Sequence, residues 1–221
     1  MQFSTKYKSS NFNQRSKKSN IRYIVLHYTA MQSDKEALKY LILPKNKVSC
    51  HYLVNKKGQI FNLVNDKFRA WHAGLSFWNG ITDMNSYSIG IELDNSGHHL
   101  DYENYTLKQI KSLLSLLKIL QNKYKIKGDC VLYHSDIAPY RKIDPGQKFP
   151  WNKISTNQIS KLFSKANINK SLKIEKHFHE KKIKYKKDKI IYMLDKIGYD
   201  TSLAKKNNKY YVKLIRAYQM H

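Results

Sequence analysis

IRYIVLHYTA, residues 21–30, places Tyr23, Val25 and His27 on one face of an extended chain and Ile24, Leu26 and Tyr28 on the other. It predicts a buried strand that closes on an imidazole. A second strand follows in SYSIGIELDN, residues 86–95, where Ile89, Ile91 and Leu93 share one side and Gly90, Glu92 and Asp94 the other. That second side is unexpectedly polar. Between the two, Ser33 and Glu36 make a capping box for a helix through Ala37, Leu38, Tyr40 and Leu41 that Pro44 stops. VSCHYLVNKKGQIFNLV, residues 48–64, splits into two β-rich runs around Lys56-Lys57-Gly58 and predicts a hairpin.

From Thr106, the spacing of Leu107, Ile110, Leu113, Leu114, Leu117 and Leu120 fits a long amphipathic helix, and Gly128 leads into a strand over Cys130–His134. Interleaved strands and helices argue an α/β layer fold, with a mixed central sheet flanked by helices. Beyond Trp151 the composition changes. Residues 171–200 are mostly helical in pattern, with Ile190, Met193, Leu194 and Ile197 as an apolar stripe, and KYYVKLIRAYQMH, residues 209–221, predicts another helix with no stop signal. The expected organisation is a polar N-terminal extension (1–17), a catalytic domain (18–154), a linker (155–169) and a small helical C-terminal module (170–221) that the chain's end cuts short.

The 221 residues carry 41 Lys plus Arg against 16 Asp plus Glu, a formal charge of +25. With 41% hydrophobic residues the chain is too apolar for a disordered basic tail. The charge is denser at the end: residues 1–154 hold 24 basic and 11 acidic side chains, and residues 155–221 hold 17 and 5. Such a field attracts nucleic acid, anionic lipid or an acidic wall polymer alike. No zinc-finger, RNA-recognition or homeodomain pattern supports a specific nucleic-acid reader. Two cysteines, Cys50 and Cys130, exclude a disulfide-dense scaffold and a four-cysteine zinc site. No apolar run reaches the length of a membrane span, and the first residues lack the apolar core of a signal peptide. The expectation is a cell-envelope or periplasmic location if a signal has been removed, and a cytoplasmic one otherwise.

Several polar residues stand out. His27 is a ligand, a base or a satisfied buried imidazole; the same choice applies to His134, which the turn SDIAPYRKIDPG follows. His134 and Asp144 are ten positions apart, a separation that a returning loop closes, and two imidazoles with one carboxylate match a catalytic zinc set. Glu92 on a strand's inner face is costly unless paired or functional. Lys142 could face a developing oxyanion or merely solvent. RAWHAGLSFWNG, residues 69–80, offers Trp71, His72, Trp78 and Asn79 as groove walls or as packing, and His51 is equally a structural or a substrate-contacting residue. No Walker loop, dinucleotide fingerprint or nucleophile elbow is present.

In order, IVLHYT, SCHYLV, WHAGLSFWNG, SIGIEL and HSDIAPYRKIDPG resemble the zinc-dependent N-acetylmuramoyl-L-alanine amidases of the type-2 family, related to the peptidoglycan recognition proteins. The resemblance covers residues 18–154. It implies one zinc ion held by His27, His134 and Asp144, Glu92 as base, and Lys142 as transition-state stabiliser. It also implies substrate contacts from His51, Trp71, His72, Trp78 and Asn79. The reaction implied is hydrolysis of the amide joining N-acetylmuramic acid, ordinary or 1,6-anhydro, to L-alanine of peptidoglycan or muropeptides. The tail resembles the peptidoglycan-binding helices of the longer envelope-associated branch. The alternative is a non-catalytic peptidoglycan-binding protein with the same fold.

Overall fold

The computed structural model describes residues 3–156 and 187–220. Among the described residues the strands are β1 (Phe12–Gln14), β2 (Tyr23–Tyr28), β3 (Tyr52–Val54), β4 (Ile60–Asn62), β5 (Phe68–Ala70), β6 (Ser88–Leu93) and β7 (Val131–Tyr133). Five form the central sheet in the order β4-β3-β6-β2-β7, and β1 pairs with β5 in a separate ribbon. β2 runs parallel to both β6 and β7, β3 runs parallel to β6, and β4 is antiparallel to β3. The mixed sheet and the hairpin are as the sequence predicts. All six residues of β2 are buried, as its central place requires.

The helices are α1 (Asp34–Ile42), α2 (Met84–Tyr87), α3 (Leu107–Tyr124), α4 (His134–Ile137), α5 (Trp151–Thr156), α6 (Lys187–Ile197), α7 (Ser202–Lys206) and α8 (Asn208–Gln219). Ser33 caps α1 by accepting the Glu36 N–H at 3.3 Å. The Glu36 carboxylate turns back to the N–H of Gln32 rather than to that of Ser33. Thr106 caps α3 in the same way, accepting from Gln109 N–H.

The buried face of α3 is Gln109, Ile110, Leu113, Leu116, Leu117 and Leu120. Leu107, expected inside, is 73% exposed, because the Gln109 amide turns inward to donate to the carbonyls of Val54 and Asp94 and so sets the helix rotation. These leucines cover one sheet face, against Ile24, Leu26, Ile89, Ile91 and Leu93. The opposite face is covered in two pieces. α1 packs with Leu53, Phe61 and Leu63 at one end of the sheet. At the other end, Tyr23, Val25 and Leu132 pack with Trp78, Ile137 and the C-terminal Ile191, Leu194, Leu214 and Ala217.

That second cluster corrects the stripe expected on α6. Ile191 and Leu194 are buried, whereas Met193 and Ile197 are exposed. The helix is rotated by its exit, where the Gly198 carbonyl accepts from Asn79 N–H and Tyr199 packs edge-on against Trp78. Tyr199 also donates to Asp136 at 2.7 Å, and Tyr140 donates to the Asp200 carbonyl at 2.6 Å. Residues 157–169 of the expected linker, and the helical pattern expected over 171–186, lie outside the described residues.

Residues 3–15 are stitched onto the domain through polar groups, which is why the segment reads as hydrophilic. Ser9 donates to the Leu41 carbonyl, and the Asn11 amide donates to those of Leu43 and Val48. Arg15 donates to the carbonyls of Asp66, Asn85, Ser86 and Ser88 at 2.7–3.0 Å. Burial pulls its pKa down to about 10, so it remains charged at neutral pH. Arg15→Met keeps the aliphatic stem and leaves those carbonyls without their donor. We expect a loss of about 3 kcal/mol, read as a lower urea midpoint at unchanged m-value.

Candidate metal centre and active site

Three parallel strands deliver the site to one edge of the sheet. His27 is the fifth residue of β2 and lies in register opposite Glu92 of β6. β7 ends at Tyr133, and His134 begins α4 directly after it. The carboxyl ends of adjacent parallel strands form the crevice where open α/β sheets place ligands. Asp144 arrives on the loop that returns from α4. Its carbonyl accepts from Ser135 N–H at 3.1 Å, and the next carbonyl, Pro145, accepts from the hydroxyls of Tyr102 and Tyr105 at 2.9 and 2.7 Å.

The three side chains converge. His27 Nδ1 lies 2.8 Å from His134 Nδ1, His134 Nδ1 lies 2.9 Å from Asp144 Oδ2, and His27 Nδ1 lies 3.3 Å from the same oxygen. All three residues are buried. His134 Nε2 lies 3.1 Å from the Ala73 carbonyl, which can only accept, so this nitrogen carries the ring proton and Nδ1 is left as a lone pair. Lone pairs facing a carboxylate oxygen repel unless a cation sits between them. A tetrahedral dication with bonds of 2.0–2.1 Å holds its ligand atoms about 3.3 Å apart; the His27–Asp144 separation equals this, and the other two, at 2.8 and 2.9 Å, are tighter. The residues present fit such an ion.

Electrostatics divide the two carboxylates. Burial pushes Asp144 up, but the adjacent imidazoles of His134 and His27 outweigh it and hold this carboxyl well below the usual range. Burial, reinforced by His134, pulls His27 down to about 4 against the opposing pull of Asp144, so it is neutral at pH 7. Glu92 goes the other way: burial, with Asp144 adding to it and Lys142 opposing, raises it well above the ordinary carboxylate value. Its Oε2 is sealed from solvent with no hydrogen-bond partner among the described residues.

A cavity of about 400 Å³ opens over this group, lined by His27, Glu92, His134, Asp144 and Lys142. His72 also lines it, so six of the ten residues singled out from the sequence meet here. Tyr40, read from the sequence only as part of a helix, lines it too, as do His99 and Arg141, which carry no periodic signal. Arg141 was legible only as a neighbour of Lys142. It donates to the carbonyls of Ala73 and Leu75 and pins residues 73–75 beside the site.

The other four residues lie elsewhere. Trp71 Nε1–H donates to Asn13 Oδ1 at 2.5 Å and ties the loop to β1. Trp78 is buried under Tyr199. Asn79 and Gly80, with φ of 48° and 82°, are the two left-handed residues of a tight turn whose flanks, Trp78 and Ile81, exchange both backbone bonds. The Asn-Gly pair was the signal for that turn. His51 is fully buried, accepts the Gly90 N–H on Nδ1 at 3.0 Å and places Nε2 3.1 Å from the Phe68 carbonyl. It is a scaffold residue.

At the carboxyl edge of a mixed sheet, a buried His-His-Asp cluster compatible with a metal site thus shares a cavity with a carboxyl group whose Oε2 has no partner among the described residues. Residues 17–147 match the Amidase_2 profile, N-acetylmuramoyl-L-alanine amidase, and the chain belongs to that family. It is 40% identical over 151 residues to the N-acetylmuramoyl-L-alanine amidase AmiD of Escherichia coli (strain K12), covering 63% of this chain and 54% of AmiD. The chain thus spans about half of that relative's length. It is 34% identical over 163 residues to the 1,6-anhydro-N-acetylmuramyl-L-alanine amidase AmpD of Haemophilus influenzae, covering 66% of this chain and 86% of AmpD.

Among solved structures, AmpDh3 from Pseudomonas aeruginosa matches with a TM-score of 0.81 at 32% identity, over 91% of this chain and 82% of that one. AmiD from E. coli, in complex with anhydro-N-acetylmuramic acid-L-Ala-D-gamma-Glu-L-Lys, matches with a TM-score of 0.78 at 31% identity, over 94% of this chain and 83% of that one.

The buried imidazole of His51 yields a pH prediction. Burial, then the Arg15 charge, lowers it from the ordinary 6.5 to about 3. Its stabilising contribution is fully present above pH 6.5, because only the unfolded chain takes up this proton as pH falls below that value. It diminishes at up to about 1.4 kcal/mol per pH unit toward the folded value. In His51→Asn, urea midpoints measured between pH 6.5 and 4 should fall more gently than in the parent chain.

Proposed function

We propose that the chain is a zinc-dependent amidase. It hydrolyses the bond between N-acetylmuramic acid, ordinary or 1,6-anhydro, and the L-alanine that begins the stem peptide. The observation that carries this reading is the convergence of three metal-ligand atoms beside the partnerless Glu92 oxygen, in a cavity large enough for the sugar–peptide junction. Family membership supports the same bond class.

His27, His134 and Asp144 hold the zinc, a choice consistent with their nitrogen and oxygen donors. Bound there, zinc supplies Lewis-acid polarisation of a carbonyl and acidifies water. Glu92 takes the proton from the attacking water and delivers it to the departing amine nitrogen; its raised pKa suits both halves of that transfer. Lys142 stabilises the negative oxygen that develops as the carbonyl carbon becomes tetrahedral. A protein that only binds peptidoglycan has no use for a carboxylate held partnerless beside a metal cluster. We further propose that residues 170–221 form a peptidoglycan-binding-like module, joined through 155–169 to the catalytic domain at 18–154. Its cationic surface associates with an anionic wall or membrane surface.

Zinc-loaded protein incubated with anhydro-muropeptide or with sacculi should release peptides bearing a free L-alanine amine, identified by mass. Absence of both products would overturn the reading. Glu92→Gln should keep one zinc per chain and lose about 10²–10⁴-fold in kcat. His27→Ala should lose the metal itself.

A further inference from the structure

His72 lies at the cavity and was expected to touch substrate, but its bonds run the other way. His27 Nε2 is 3.0 Å from His72 Nδ1, His72 Nε2 is 3.3 Å from Ser88 Oγ, and Ser88 Oγ is 2.6 Å from the Met84 carbonyl. The last atom settles the polarity of the row. A carbonyl only accepts, so the single hydroxyl proton of Ser88 goes to Met84, and Ser88 Oγ must accept from His72 Nε2–H. His72 is neutral, with its proton on Nε2, so Nδ1 is a lone pair that accepts from His27 Nε2–H. His27 is then left with a bare Nδ1, the atom that meets His134 and Asp144.

The row is enclosed: His27, His72 and Ser88 are 1%, 5% and 0% exposed. Space for the ring is made by Gly90, where an added Cβ would fall 2.3 Å from His72 Cγ. No other residue type fits that position without displacing the imidazole. Ser88 and Gly90 both belong to β6, the strand that also carries Glu92.

We infer that His72 is a positioning residue that, backed by Ser88, fixes the tautomer and the ring plane of His27 and so tunes the affinity of the metal site. It acts through His27 and does not touch the reacting atoms. The inference rests on the proposal above that His27 is a metal ligand. Outer partners of this kind are worth about 10–100-fold in metal affinity.

The test is zinc affinity by chelator competition in the full-length chain, together with ¹⁵N NMR of the histidine rings of the metal-free protein. His72→Ala should weaken zinc binding about 10–100-fold. His72→Asn, whose Oδ1 replaces the Nδ1 acceptor, should recover most of the loss. Ser88→Ala, a one-atom change, keeps the test open if His72→Ala fails to fold, and should weaken binding by a smaller factor. The NMR spectrum should show His27 and His72 both protonated on Nε2. Parental affinity in His72→Ala and Ser88→Ala, or a proton on Nδ1 of His72, would overturn the inference. If the parent chain bound no zinc, or if His27→Ala bound it normally, the failure would lie instead with the assignment of His27 as a ligand.

Discussion

The parallel register of β2 between β6 and β7 is the constraint on which the site depends. Ile24 pairs with Ile89 and with Val131; two residues later β7 runs out at Tyr133 opposite Leu26, and one residue further His27 stands opposite Glu92. Side chains of paired residues share a face, so a slip of one residue would turn His27 into the leucine-rich layer beneath and bring an apolar residue such as Leu26 to its place. The apolar layer forbids that slip. Ile24, Leu26, Ile89, Ile91 and Leu93 are sealed by α3, and none can be exchanged for an imidazole or a carboxylate at tolerable cost. The hydrophobic side of the sheet therefore holds the polar side in register.

Burying so many titratable groups on the other face requires that each be satisfied or neutral. Asp144, beside two imidazoles in a cluster that fits a cation, stays ionised. Glu92, one strand away, has no such partner and is driven toward its neutral form. Two carboxyls in one pocket are thus pushed apart in pKa by their surroundings. The histidines are handled by direction rather than by charge. His134 donates its outer N–H to the Ala73 carbonyl and His27, on the polarity inferred above, donates to His72, so both rings turn the same nitrogen inward.

Much of this was legible in the sequence. Strong alternation marked β2 and β6, and the polar second face of SIGIELDN marked where the site would lie. His27, Glu92, His134, Lys142 and Asp144 stood out because a buried strand end or a polar turn is an expensive place for them. The placements of Trp71 and Trp78 were not legible. An aromatic residue in a loop looks the same whether it lines a groove or seats another helix, and the partner, Tyr199, is more than a hundred residues away. Periodicity failed at α3 and α6 for a related reason. Gln109 and the Gly198 exit each rotate a helix by tertiary contacts that an amphipathic pattern does not contain. The polar opening hid Arg15, since a side chain that saturates backbone carbonyls has the same composition as one in solvent.

The C-terminal helices change how the charge is to be understood. Their inner side, Ile191, Leu194, Leu214 and Ala217, completes the cover over β2 and β7, and Trp78 and Tyr199 close the joint. Lys213 donates to the Tyr140 carbonyl at 2.8 Å and lines, with Arg216, a pocket that includes Arg141 and Lys142, whereas Lys196, Lys205, Lys206 and Lys209 are exposed to solvent. At physiological salt an exposed charge is screened over about 8 Å, so this field acts on what lies against the module and has little reach into the cavity. Inside the cavity, the local arrangement of His27, Asp144, Glu92 and Lys142 decides protonation. The hydrophobic cluster that fastens the C-terminal helices to the sheet thus also decides which of their cations stand in solvent and which lie against the loop that carries Lys142.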